Sequence, residues 1–175
     1  MAATANVPAS ATVVPPLTLS EPSDIRFGTL APFTTVGTIV LPVPTTLPAV
    51  APTTAAPIIT GTRTATGGVT MIGGGTCSAT VTCGVGGLQI GGVANGTYAT
   101  VTLPATVTLT SGANTMTAGT FTRRYGVTGT AGVITGAGAI SGTGTSLLLI
   151  GGTLNVGISQ AAGVYTGTMA VTVNY

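Results

Sequence analysis

The chain contains no histidine, no lysine and no tryptophan, and its 175 residues include only two carboxylate side chains, Glu21 and Asp24. Charged residues make up 3% of it, against about a quarter in an ordinary globular domain. These absences exclude whole chemistries. A general acid/base pair, a Ser-His-Asp or Cys-His arrangement and a His/carboxylate metal site all need titratable groups that the chain does not carry. The expectation is a protein that is not an enzyme, with no cofactor, no metal and no small-molecule substrate.

Long hydrophobic runs are missing as well. Mean hydropathy is +0.66, yet Thr, Gly and Pro interrupt every apolar stretch before it reaches the length of about 18 residues that a spanning helix requires. An outer-membrane barrel would use alternating strands, but such barrels carry aromatic girdles, and aromatics here are 4%. The formal net charge of +2 is too small to draw nucleic acid. Arg123-Arg124, flanked by Phe121 and Tyr125, reads as a solvated turn or strand face and not as a stacking platform. A soluble monomer this poor in charge would be hard to keep dispersed. No positively charged, apolar signal segment is seen, and the Ala-rich start, Met1-Ala-Ala-Thr-Ala5, is expected to be a mature terminus.

Cysteine is scarce. Cys77 and Cys83 stand alone, with five residues between them. Without histidine they cannot close a tetrahedral zinc site, and the spacing is not that of a redox motif. Two readings stay open: a disulfide stapling a short hairpin or bulged loop, which suits an oxidising compartment and is preferred, or a pair of buried free thiols.

What the chain does have is strand and turn. β-Branched and aliphatic runs at 37–41, 98–103 and 146–150 are separated by punctuation drawn from 28 glycines and 11 prolines, and no segment repeats every 3.6 residues. Length and pattern together predict one all-β domain. Residues 42–57 hold Pro42, Pro44, Pro48, Pro52 and Pro57, and read as an extended surface connection. The Gly-rich tract 136–142 is read as turns, since no helix signal and no lysine follow it. Asn95-Gly96 is read as a tight hairpin in preference to a glycosylation sequon.

Both ends carry a period of two. At the C-terminus, Tyr165, Met169, Val171, Val173 and Tyr175 share one face of an expected strand over 163–175, with Thr168, Ala170, Thr172 and Asn174 opposite. The pattern predicts a half-buried strand whose far edge needs a neighbour. Near the N-terminus, Ala5, Val7, Ala9, Ala11 and Val13 alternate with Asn6, Pro8, Ser10 and Thr12, and Pro15-Pro16 then separates this arm from Leu17.

Three stretches carry a family resemblance: residues 24–30 (Asp-Ile-Arg-Phe-Gly-Thr-Leu), residues 97–104 (Thr-Tyr-Ala-Thr-Val-Thr-Leu-Pro), and residues 150–175, which end in Gly-x-Tyr-x-Gly-x-x-x-Val-Thr-Val-x-Tyr. They resemble a family of secreted, Gly/Thr-rich bacterial surface proteins that is itself similar to spore coat protein U and the archaic chaperone-usher pilins. The resemblance covers residues 14–175. The proline-rich segment and the Cys77/Cys83 pair depart from it.

The resemblance implies an immunoglobulin-like, pilin-type β-sandwich that lacks its last strand and is completed by an N-terminal strand donated from the next subunit. On that reading residues 1–16 are a donor arm and residues 17–175 the domain. Ala5, Val7, Ala9, Ala11 and Val13 are the inserted row. The acceptor groove is expected to be lined by Leu17, Leu19, Ile25 and Phe27 on one side and by Met169, Val171, Val173 and Tyr175 on the other. Head-to-tail insertion does not close on itself and gives a fibre. The expected protein is therefore a structural subunit of an extracellular fibre on the bacterial surface. Its partners would be identical subunits in a helical or linear homopolymer, with a periplasmic chaperone and an outer-membrane usher during assembly. The alternative is a monomeric surface or fibre-tip adhesin for glycans or surfaces, with its N-terminal strand folded back on itself.

Overall fold

The structure is a computed structural model that describes residues 1–5, 8–13, 16–45, 61–78, 81–91, 100–127 and 146–174, and of residues 21, 22, 32, 33, 126 and 127 the backbone only. All regular structure among the described residues is antiparallel β. Its strands are β1 (Thr18–Ser23), β2 (Leu30–Leu41), β3 (Thr64–Met71), β4 (Gly86–Gly91), β5 (Thr100–Thr102), β6 (Thr106–Ser111), β7 (Asn114–Val127), β8 (Ser146–Val156) and β9 (Thr172–Asn174). No helix of the described residues is long and apolar enough to cross a membrane.

β8 organises the fold, and its sequence divides into two kinds of strand. Leu147-Leu148-Leu149-Ile150 is continuously apolar, which suits a strand covered on both faces. Thr153-Leu154-Asn155-Val156 alternates, which suits a strand with one face in water. The first four are each 0% exposed, whereas Asn155 is exposed between buried Leu154 and Val156. Along one edge β8 pairs with β7. Along the other it pairs first with β4 and then with β2. The main sheet therefore runs β1-β4-β8-β2-β3, with β7 and β6 attached on the opposite edge of β8, while β5 and β9 form a separate two-stranded sheet.

Two apolar clusters result. Leu147 and Leu149 face the first, with Ile39, Leu41, Val69, Met116, Ala118 and Phe27. Leu148 and Ile150 face the second, with Ile90, Val101 and Tyr125. Beyond Gly151-Gly152 the phase of β8 reverses, so that Leu154 and Val156 return to the first cluster. Only glycine fits that bend: a Cβ on Gly151 would lie 2.3 Å from the Leu41 carbonyl oxygen, and one on Gly152 would lie 2.7 Å from the Phe121 ring. A register shift in β7 between Gly119 and Thr122 faces the same point.

The stretch 37–41 lies in β2, the described part of 98–103 holds β5, and 146–150 opens β8. Residues 42–45 follow β2 without strand pairing, and the rest of the proline-rich connection, Asn95-Gly96 and the tract 136–142 lie outside the described residues. The C-terminal segment differs from the single strand expected over 163–175. Thr166 pairs with Thr110, and regular pairing resumes only at Thr172–Asn174, opposite Thr100–Thr102. Tyr165 packs on the first cluster and Met169, Val171 and Val173 on the second. The cause lies in the neighbouring chain. The path from β5 to β6 breaks at Leu103, Pro104 and Ala105, where proline offers no N–H to a ladder.

Candidate assembly site

Among the described residues, the second cluster is only partly covered at its rim. Its buried members are flanked by partly buried Leu17, Met169, Val171 and Val173. From Thr168 to Asn174 exposure alternates strictly, with Met169, Val171 and Val173 half-buried and the residues between them exposed. Leu19 stands opposite Ile90 in the β1–β4 register, so it faces the same cluster, yet it remains 45% exposed. Both flanking elements have an open edge among the described residues: β1 pairs only with β4, and β9 only with β5. In the floor, the Tyr125 hydroxyl is buried without a hydrogen-bond partner among the described residues. An unpaired buried hydroxyl costs about 1–3 kcal/mol.

Of the residues expected to line one groove, Leu17, Met169, Val171 and Val173 pack on this cluster, Leu19 shares its face by register, and Tyr175 lies outside the described residues. Ile25 and Phe27 do not. They pack on the first cluster, on the other side of β8. The reason is the register shift between Ser20 and Ser23 in β1. Such an irregularity reverses which side chains face inward, so the odd positions that point one way at Leu17 and Leu19 point the other way at Ile25 and Phe27.

The described residues of the N-terminal arm form no strand. Residues 1–5 and 8–13 have no strand pairing and are exposed, Val13 to 91%. Ala5, Ala9 and Ala11 are exposed with it, and Val7 lies outside the described residues.

The C-terminal segment is set in place by a tyrosine that sequence reading assigned only to an apolar face. The Tyr165 hydroxyl donates to the Ala161 carbonyl, four residues back, at 2.8 Å, and accepts from Gln160 Nε2 at 2.8 Å. Gln160 Nε2 also donates to the Thr115 carbonyl at 3.2 Å, tying the turn to β7. These bonds fix the turn 160–165 just ahead of the bridge from Thr166 to Thr110.

The opposite side of the molecule is sealed by two devices. Cys77 and Cys83 form a disulfide with Cα atoms 5.0 Å apart, and both residues are buried. Beside it lies Arg63, 1% exposed. Its guanidinium donates to the carbonyls of Phe27 at 2.6 Å, Thr29 at 3.1 Å, Ile72 at 2.7 Å and Gly74 at 3.0 and 3.1 Å. Burial pushes its pKa below the ordinary arginine value. Gly28, at φ +79°, turns the backbone around this cage; a Cβ there would lie 2.4 Å from Arg63 Nη1. Nothing in the sequence marked Arg63, because its partners are backbone carbonyls scattered along the chain. The other arginines are also spent locally. Arg26 pairs with Asp24 at 3.0 Å on the surface, Arg123 donates to the Val101 carbonyl and lies 6.0 Å from the Tyr125 ring centre, and Arg124 donates to the Thr45 carbonyl. Among the described residues no group of three or more His, Cys, Asp or Glu side chains is placed to hold a metal.

These features define an all-β, antiparallel domain carrying an exposed N-terminal arm and a half-open apolar rim. The chain belongs to the family described as a domain of unknown function (DUF4402), whose family model matches residues 17–175. No curated protein and no solved structure matches it.

Proposed function

We propose that the protein is a structural subunit of an extracellular fibre, in which the N-terminal arm of one copy adds as a strand to the second cluster of the next. The observation that carries this reading is a complementarity within one chain. Among the described residues, an alternating apolar arm is exposed and unpaired, while the domain behind it has a half-buried apolar rim flanked by two open strand edges. Strand addition satisfies both: backbone groups pair along an edge, and alternate side chains enter the cluster. Each valine fully buried contributes about 1.5–3 kcal/mol.

A tyrosine bonding its own upstream backbone, as Tyr165 does, supports an immunoglobulin-like sandwich, and the resemblance to the archaic pilins and spore coat protein U points to the same architecture. In that architecture the segment ending in β9 is the strand beside the missing one. Leu17, Leu19, Met169, Val171 and Val173 form the acceptor, and Ala5, Val7, Ala9, Ala11 and Val13 the inserted row. A secreted location, with a periplasmic chaperone and an outer-membrane usher, belongs to the same reading, and so does the absence of catalysis. The low charge fits an assembled fibre, which need not stay dispersed as monomers.

The test is deletion of residues 2–14, with electron microscopy of the purified chain. The intact chain is expected to form fibres and the shortened one only monomers. Undiminished fibre formation without the arm would sink the reading.

A further inference from the structure

We infer that the groove crossing β3, β2, β8 and β7 is a binding site for a neutral oligosaccharide. Four strands in succession place a polar side chain at the same level on the outer face. Thr66 pairs with Thr38, Thr38 with Asn155, and Asn155 with Thr117. One residue along, the same strands place Ala65, Ile39, Leu154 and Ala118, all on the first cluster side. The pleat thus presents a row of hydroxyl and amide groups at intervals of about 4.8 Å, the spacing between neighbouring strands.

The row is concave. The irregular stretch of β2 between Pro32 and Gly37 raises one wall at Val36, and Gln160 forms another, held by its bonds to Thr115 and Tyr165. The groove is open to solvent and spans about 580 Å³.

Its chemistry selects the ligand class. No residue lining it is charged, so an ionic ligand would lose its water without a counter-charge. A wholly apolar ligand would leave the polar row unpaired. Thr38 Oγ1 and Thr66 Oγ1 lie 2.6 Å apart, and one hydroxyl donating to the other leaves the pair one hydrogen to give and lone pairs to accept. Asn155 Nδ2 donates to the Thr117 carbonyl at 3.3 Å, which leaves its second N–H and its own carbonyl for a ligand. Sugar hydroxyls also donate and accept, and sugar C–H faces suit the threonine methyls and Val36. With no aromatic ring in the lining, each site binds weakly, and repeated copies would supply avidity. The site itself does not depend on the fibre reading.

The experiment is a titration of the full chain, followed by amide NMR shifts in solution or, where it assembles, by magic-angle-spinning NMR of the fibres, with cellohexaose, maltohexaose and mannohexaose, and with a heparin hexasaccharide as the charged control. Saturable binding of at least one neutral hexasaccharide is expected, with shifts at Gly37, Thr38, Thr66, Thr117 and Asn155. The double substitution Thr38→Val and Thr66→Val, on an outward face, should leave the remaining spectrum in place and weaken binding about tenfold. Lack of saturation by every neutral probe, equal binding by heparin, or unchanged affinity in the double variant would each overturn the inference.

Discussion

The two apolar clusters that share β8 are made of similar residues but finished differently. Around the first, the buried set is large, and it is closed by the Cys77–Cys83 bridge and by Arg63 clamped across four backbone carbonyls. Around the second, the buried set is small, Leu17, Met169, Val171 and Val173 stay half-buried, Leu19 is largely in water, and the Tyr125 hydroxyl has no partner among the described residues. The difference separates two tasks. On the proposed function the first cluster holds the fold, and the second keeps apolar surface and open edges within reach of another strand. Local stability of this kind is not uniform across a domain, and binding elements are drawn from its weaker end.

The comparison can be broken hardest at Arg63. Replacing Arg63→Met leaves several buried carbonyls unpaired at about 1–3 kcal/mol each, so stability measured by urea unfolding should fall by about 3 kcal/mol or more. Next comes the bridge: Cys77→Ser with Cys83→Ser removes a short closed loop, and the same measurement should show a loss of about 2 kcal/mol. An unchanged urea midpoint in either variant would mean that the closed cluster does not need its devices. At the open cluster the balance should invert. Val171→Asp is expected to cost the monomer only about 1 kcal/mol, because the side chain is half in water already, yet to abolish arm-dependent fibres seen by electron microscopy. Fibres of normal length from that variant would remove Val171 from the acceptor. The smallest effect has the opposite sign. Tyr125→Phe deletes an unpaired buried hydroxyl and should raise the stability of the monomer by about 1 kcal/mol, read as a higher thermal midpoint.

Much of the architecture was legible in the residues. The run at 146–150 was legible as a strand, and it opens β8; that its apolar residues are covered on both faces came only with the fold, because a short apolar run does not say what lies above and below it. The alternation of Met169, Val171 and Val173 likewise survives in the fold as a half-buried row. The expected groove wall was only partly legible. Leu17 and Leu19 share a face, but the shift between Ser20 and Ser23 sends Ile25 and Phe27 to the other cluster, and a single extra residue in a strand leaves no signature in composition or period. Tyr165 was read as part of the C-terminal face, whereas its hydroxyl takes up Ala161 and Gln160 and its ring joins the first cluster.

The sequence by itself determined the class: strand-forming residues in short alternating runs, with glycine and proline at the breaks. It marked the arm off from the domain as well, because two prolines follow a regular apolar row. Only the tertiary structure decided which apolar rows meet. Cluster membership depends on strand order, on the bend at Gly151-Gly152 and on the register shifts in β1 and β7. The same holds for Arg63, whose carbonyl partners between Phe27 and Gly74 are brought together by chain path alone. Backbone carbonyls carry no residue identity, so a cation that binds only to them is invisible until the chain has folded around it.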